Sequence, residues 1–271
     1  MASARDIKRK INSVSNTQKI TKTMKMVSAA KMRKAIEAMQ SARPYTDKLS
    51  DLIQQFSNRA GGNTEHAFFE AKEVHTIYLV VVTSDKGLCG AFNSNVLKAA
   101  YNFAKENKDK TIKIVPVGKR AFDFFAKRGF EIVEKWIGFG GKYSFNDAVD
   151  AGRLISKSFI NGNADEVHLI YNEFKSTSSQ LVRIKKLLPL AVESGSEPKY
   201  PDFEYEPDVN VLLDSLLPQF INTSIFQSML ESVAGEHGAR MVAMDNATRS
   251  AGEMVGMQCD FSFIGSMLDG V

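Results

Sequence analysis

The residues best placed to do chemistry form a glycine-bearing turn, Ser84–Asn93 (SDKGLCGAFN), which follows the apolar run Thr76–Thr83 (TIYLVVVT). A buried strand, a glycine-rich turn and a helix are the outline of a phosphate-binding fold, because glycines let the backbone approach an anion. The turn lacks the full G-x-G-x-x-G spacing, and no G-x-x-x-x-G-K-[ST] string occurs in the chain. Two interpretations remain: a nucleotide site, or a structural turn in which Ser84 or Asp85 accepts free backbone N–H groups. The second is favoured.

No other group of residues predicts catalysis or metal binding. The two cysteines, Cys89 and Cys259, are far apart in the sequence and have no metal-ligand spacing, so they indicate a reducing compartment. No H-E-x-x-H or C-x-x-C motif is present, and we expect no catalytic residue, no cofactor and no metal site. The histidines are scattered and are interpreted as solvated or packing residues: His66, His75, His168 and His237.

The middle of the chain, residues 58–208, alternates predicted strands with predicted helices. This alternation is typical of a small, doubly wound, Rossmann-like sheet. Residues 193–208 are rich in Pro, Ser and Glu and predict a loop. The predicted strands are Thr76–Thr83, Thr111–Val117, Phe130–Val133, Val167–Tyr171 and Leu181–Leu187, and the predicted helices are Asn93–Glu106, Lys119–Arg128 and Ser144–Ile160.

Long helices are predicted at both ends of the chain, over residues 3–57 and 209–255. Each has an apolar stripe that recurs every three or four residues and is too long to be buried within its own segment, so each needs a partner helix. Pro218 is expected to kink the second helix or to begin its main segment. The predicted fold class is therefore α/β: a long antiparallel coiled coil of N- and C-terminal helices with an inserted Rossmann-like α/β domain. The predicted domains are residues 1–57, 58–208, 209–255 and a divergent tail, 256–271.

The first helix is strongly basic. Residues 1–34 carry ten Lys and Arg side chains and one acid, whereas the whole chain has a net charge of only +4, so the remainder is net acidic. Three interpretations are open: a solvated helix face, a nucleic-acid site, or a helix held by an acidic protein surface. No aromatic residue precedes Tyr45, which argues against single-strand binding. The charges alternate with apolar residues that look packed, namely Ile20, Met24, Val27 and Met32. This pattern argues against a helix that binds in a groove of duplex DNA.

Five separated strings carry a resemblance to the gamma subunit family of F-type ATP synthases. They are Ser13–Lys34, Leu79–Asn95 (LVVVTSDKGLCGAFNSN), Asp165–Lys175 (DEVHLIYNEFK), Leu212–Pro218 (LLDSLLP) and Leu230–Asn246 (LESVAGEHGARMVAMDN). The resemblance extends from about residue 2 to residue 255. After Val255 the family pattern continues as charged helical turns, whereas this chain has GMQCDFSFIGSMLDGV.

The resemblance implies a central rotor shaft that couples proton-driven rotation to ATP synthesis or hydrolysis on the beta subunits. It implies a non-catalytic subunit, with the alpha and beta subunits of the catalytic head, the epsilon subunit and the c-ring as partners and no nucleic acid. The expected location is the cytoplasmic face of a bacterial inner membrane, where the chain is peripheral through the complex, with an organellar inner membrane as the alternative. Two other hypotheses are a nucleotide-binding α/β enzyme and a nucleic-acid-binding coiled-coil protein.

The resemblance also implies which residues face the catalytic head. Lysines and arginines of the first helix are expected to meet acidic surface, Met24 and Val27 to supply packed contacts, and two positions on the second helix to face the same ring. The complete set of expected partner contacts is Lys22, Met24, Lys25, Val27, Lys31, Arg33, Lys34, Arg240 and Asn246.

Overall fold

A computed structural model describes residues 4–59, 66–190 and 209–268 of the 271-residue chain. The predicted loop at residues 193–208 lies outside these ranges. The helices are α1 (Ala4–Arg59), α2 (Phe92–Glu106), α3 (Lys119–Ala126), α4 (Phe145–Ile160) and α5 (Val209–Leu268), with a 3-10 turn at Ala67–Phe69. The strands are β1 (Thr76–Val82), β2 (Thr111–Val117), β3 (Glu131–Ile132), β4 (Glu166–Phe174) and β5 (Gln180–Leu188).

The five strands form one sheet in the order β3-β2-β1-β4-β5. β1 runs parallel to β2 and β4, β2 runs parallel to β3, and β5 joins β4 as an antiparallel edge strand. Residues of β1 alternate between two cores: Tyr78, Val80 and Val82 face α4 and α5, whereas Ile77, Leu79 and Val81 face α2 and α3. Because both faces are buried, the strand is a continuous apolar run, as the sequence analysis predicted.

The terminal helices α1 and α5 pack against each other in antiparallel orientation. Thr21 meets Thr248 through a 2.8 Å hydroxyl contact, and farther along α1 Arg43 bonds Glu231 at 3.2 Å. As residue numbers increase along α1, the residue numbers of the α5 partners therefore decrease. The buried positions of α1 follow coiled-coil spacing, at Ser28, Met32, Ala35 and Met39 and again at Leu49, Ile53 and Phe56.

The two ends of this helix pair are joined by different chemistry. At the free end polar contacts, Gln18 and Thr21 with Thr248 and Lys25 with Asp245, accompany the buried apolar residues Met244 and Ala251. At the end beside the sheet, the seam is part of the main apolar core. That part of the seam consists of Leu49, Ile53 and Phe56 on α1 and Leu213, Leu217 and Phe220 on α5.

Both helices run farther than the sequence analysis predicted. α5 passes through Pro218 without a break and continues through Gly256 to Leu268, so the segment predicted as a divergent tail is helical over most of its length. Proline at this position lies in the third turn of the helix, and tertiary packing overrides its helix-breaking tendency.

Among the described residues, no helix is both long and apolar enough to cross a membrane.

Candidate partner-binding surface

An open groove of about 460 Å³ lies where α1 passes the turn after β1 and the middle of α5. We call it the α1 groove. Its floor is mainly apolar and its rim carries cationic side chains, so it suits a partner that combines apolar and acidic groups. The lining residues are Lys19, Ile20, Thr23, Met24, Val27, Ser28, Lys31, Lys86, His237 and Arg240.

The apolar part of the α1 groove consists of Ile20, Met24 and Val27, which the sequence analysis interpreted as packed positions and, for Met24 and Val27, as contacts with a partner. Ile20 and Val27 are 60% and 50% exposed and Met24 is half-buried, so they are not fully packed within the described chain, and the partner contacts stay a prediction. The stripe that contacts α5 passes instead through Thr21, a neighbour of Ile20 on the helix but on a different face. Large apolar side chains that lie together on a surface mark an interaction site.

The nine predicted contact residues do not form one cluster. Met24, Val27, Lys31 and Arg240 line the α1 groove. Others are exposed on α1 beyond the lining: Lys22, Arg33 and Lys34. Lys25 is engaged within the chain, because its Nζ lies 2.6 Å from Asp245 Oδ1.

Asn246 lies on a different surface from the other predicted contacts. It is exposed, its Oδ1 accepts a hydrogen bond from Arg249, and it lines a second, more polar groove with residues 89–92 and 177–180. The structure therefore does not bring Asn246 together with Met24.

Arg240 is predicted as a contact residue, but its guanidinium is committed to this chain. Only 8% of the residue is exposed. Nε and Nη2 donate to the carbonyl oxygen of Gly87 at 3.2 and 3.1 Å, and Nη2 also lies 2.6 Å from Glu236 Oε1. Arg240 thus fixes the turn after β1 against α5 and acts through Gly87 as a positioning residue.

His237 and Glu236 sit beside Arg240 beneath the groove. Burial, together with the positive charges of Arg240 and Lys31, lowers the pKa of His237 to about 4. Burial also raises the pKa of Glu236, although Arg240 acts against that rise. The His237 imidazole is therefore neutral at neutral pH, and its Nδ1 accepts from Arg240 Nη1 at 3.2 Å, which places the ring proton on Nε2.

The turn after β1 is structural in the way the sequence analysis favoured. The carboxylate of Asp85 accepts hydrogen bonds from the backbone N–H groups of Lys119, Gly138 and Gly140. The same turn projects Lys86 to the rim of the groove and holds Leu88 at a φ of 61° with its side chain exposed. One turn therefore joins the sheet, α3 and the groove.

Sequence reasoning missed several groove residues. Lys86 was interpreted only as part of a structural turn, and His237 only as a packing residue, yet both line the groove. The step from Ile20 to Met24 to Val27 was visible as a helical stripe, but its position outside the α1–α5 seam depends on how the two helices rotate against each other. That rotation is not encoded in the spacing of one helix alone.

Known proteins support one identification. A family profile described as "ATP synthase" matches residues 3–258. An "ATP synthase gamma chain" from Desulforamulus reducens is 42% identical over 257 residues, covering 94% of this chain and 89% of that protein. Gamma chains from Pelotomaculum thermopropionicum and Chlorobium phaeobacteroides are 39% and 36% identical, again over 94% of this chain and 89% of each relative.

Solved structures have the same fold. A chain in the central stalk and c-ring of the Tetrahymena thermophila mitochondrial ATP synthase superposes with a TM-score of 0.67 at 24% identity, covering 84% of this chain and 99% of that chain. A chain in the rotor of the Euglena gracilis mitochondrial ATP synthase superposes with a TM-score of 0.70 at 17% identity, covering 99% of both.

A pair of long antiparallel helices with an inserted α/β domain and an exposed, partly apolar groove is typical of a structural subunit. The chain belongs to the ATP synthase gamma chain family. Gamma chains are subunits of ATP synthase, and membership of this family agrees with the prediction of a non-catalytic subunit of that complex.

Proposed function

We propose that this chain is the shaft that couples proton-driven rotation to ATP synthesis or hydrolysis on the beta subunits, and that the α1 groove is a face it presents to them in turn. The main support for this proposal is the exposed apolar pair Ile20 and Val27, which has the cationic side chains Lys19, Lys31 and Lys86 beside it. Such a surface is one-sided, so rotation of the shaft changes which neighbour it meets.

A one-sided contact can drive chemistry without any reactive group on the shaft. A ring subunit that binds the groove better in one of its conformations is shifted toward that conformation whenever the groove faces it. The cations of α1 suit acidic loops on the beta subunits. Exposed ion pairs contribute only about 0–1 kcal/mol each, so such a contact can form and release at every step.

The remaining partners follow from the same proposal. The alpha and beta subunits surround the helix pair, whereas the epsilon subunit and the c-ring lie at the end beside the α/β domain. The proposed location of this chain is the cytoplasmic face of a bacterial inner membrane. The chain is held there peripherally, through its contacts with the rest of the complex. Bacterial gamma chains at 36–42% identity support this location.

The test places a charge on the groove floor by Met24→Lys. An added ammonium among partly desolvated contacts forms a new pair with an acidic loop and stabilises one rotary state over the others. We expect assembly to be retained and proton pumping per ATP hydrolysed to fall by at least about half. The measurement uses the complete complex in sealed vesicles, with acidification and phosphate release recorded in the same sample.

The matched control is Ala30→Lys, which adds the same charge at an exposed α1 position outside the groove lining. It should pump normally. If Met24→Lys assembles and its pumping per ATP equals that of the unmodified complex, the α1 groove is not a working contact and the proposal fails.

A further inference from the structure

The carboxylate of Asp85 is bound in the manner of a ligand. Its Oδ1 accepts from Lys119 N at 2.9 Å and Gly138 N at 3.1 Å, and its Oδ2 accepts from Gly140 N at 2.8 Å. These donors come from two segments of the chain that lie 34 to 55 residues away from Asp85. Three convergent N–H groups form a receptor for an anion, and the anion they hold is this side chain.

Each donor is fixed by the local fold. Lys119 is the first residue of α3, so its N–H is one of the helix-terminal donors that lack an intrahelical acceptor. Gly138 and Gly140 adopt φ values of 90° and 58°, and a Cβ on either would meet nothing within 4 Å. Glycine is therefore needed at these positions for backbone conformation rather than for space, and that conformation aims both N–H groups at Asp85.

The position of this receptor is significant. It lies beyond the carboxyl ends of β1 and β2, the end of the sheet at which open α/β domains bind their ligands, and is adjacent to the switch in strand order between β1 and β4. The loop that carries the two glycines is anchored there by Trp136, which pairs with Val117, the last residue of β2. This end of the sheet therefore forms an anion-binding site, and the carboxylate of Asp85 from the same chain occupies it.

We propose that Asp85 is a built-in anionic ligand, and that the three-amide site it fills binds a small external carboxylate once the Asp85 carboxylate is removed. The inference does not depend on the rotary function. It explains how a domain with the outline of a nucleotide-binding fold has a closed ligand edge: the external anion is replaced by a covalently attached one, at no cost in association entropy.

The test uses Asp85→Ala in the full chain, with formate as the probe because formate is the fragment that this substitution deletes. The protein is labelled with 15N-glycine, and sodium formate is titrated against sodium chloride at equal ionic strength. We expect the variant to melt several degrees lower than the unmodified chain. Formate should shift the Gly138 and Gly140 amide resonances saturably and raise the melting temperature above its value in chloride.

The controls are the unmodified chain, whose site is occupied, and Asp109→Ala, which removes an exposed carboxylate from the turn after α2. Neither should respond to formate more than to chloride. A folded Asp85→Ala variant whose Gly138 and Gly140 amides do not respond to formate overturns the proposal, as does an equal response in the unmodified chain.

A variant that folds only when formate is present also supports the proposal. If Asp85→Ala remains unfolded in formate, Asp85→Asn decides the question, because it keeps one carbonyl oxygen but loses the charge and turns one acceptor into a donor. The expected result is hydrogen exchange at Gly138 and Gly140 at least about 10-fold faster than in the unmodified chain. Unchanged exchange, or a variant as stable as the unmodified chain, would overturn the assignment.

Discussion

His237 is a single buried imidazole whose protonation opposes folding. Its pKa in the folded protein is about 4, below the ordinary value of 6.5, because it is buried beside Arg240 and Lys31. Between these two pH values the unfolded chain binds more protons than the folded chain, so its contribution is fully present above pH 6.5 and is lost as the pH falls toward 4. The residue thus makes the free energy of unfolding depend on pH.

We expect His237→Asn to flatten that dependence. The amide oxygen of Asn can replace Nδ1 as the acceptor for Arg240, but it does not titrate. The decrease in the free energy of unfolding between pH 6.5 and 4 should be smaller in the variant by about 2 kcal/mol. The measurement is urea unfolding followed by circular dichroism at a series of pH values.

The control for this series is His75→Asn, which changes the same residue type at a site where 73% of the side chain is exposed. It should leave the pH dependence unchanged. An identical pH dependence in His237→Asn and the unmodified chain would mean that His237 is not a buried neutral base.

At the scale of elements, α1 carries two apolar stripes with different partners. Met32 lies in the seam with α5, where its Sδ would be 3.4 Å from a Cβ placed at Gly238. Val27 lies on the groove and is half exposed. The same helix therefore has one stripe that stabilises the chain and another that is available to a partner.

This separation predicts effects of different size on the free energy of unfolding for two alanine substitutions. Met32→Ala should lower the free energy of unfolding of the isolated chain by about 2 kcal/mol, because it leaves a cavity in a packed seam. Val27→Ala should change it by less than about 0.5 kcal/mol, since its side chain is half exposed and outside the seam. Chemical unfolding of the isolated chain measures both, and equal losses in the two variants would contradict the assignment of the stripes.

How far the sequence predicts the elements depends on whether local or distant residues decide them. The strands and their order along the chain follow from runs such as Thr76–Val82, whose burial on both faces removes any polar alternation. The role of Asp85 as a hydrogen-bond acceptor was also predictable, because a polar residue after a strand commonly accepts hydrogen bonds from free backbone N–H groups. Its particular donors, Gly138 and Gly140, lie more than 50 residues away and were not.

The site was less predictable than the fold. The basic stretch of α1 and the contact candidates Met24 and Val27 could be named, but the groove also needs Lys86 and His237, which come from distant parts of the chain. Arg240 was placed on the correct helix, yet its side chain turns inward to the Gly87 carbonyl. Side-chain direction depends on the packing of α5 against the turn, which no local pattern specifies.

At the scale of the whole molecule, the chain should act only through assembly. We expect the isolated chain to bind neither ATP nor DNA specifically, because the ligand edge of its sheet is filled by Asp85 and its basic helix lacks aromatic side chains for stacking. Fluorescence anisotropy with labelled ATP and labelled DNA tests this, with salt varied to remove non-specific attraction.

Lys86 directly follows Asp85 in the sequence and supplies the sharpest variant for this test. Lys86→Ala should leave both titrations unchanged and the fold intact. Stoichiometric ATP binding by the isolated chain that Lys86→Ala abolishes without unfolding would restore the nucleotide-binding interpretation.

The unequal seam between α1 and α5 makes the shaft a rod of graded stiffness. Packed apolar side chains around Leu217 and Phe220 resist shear, because any relative movement opens voids in a close-packed core. The contacts of Thr21 with Thr248 and of Lys25 with Asp245 are polar and partly exposed, and they can be exchanged for water at small cost. Under a given torque the free end twists more than the end beside the sheet, so elastic strain accumulates in the part of the shaft that carries the groove.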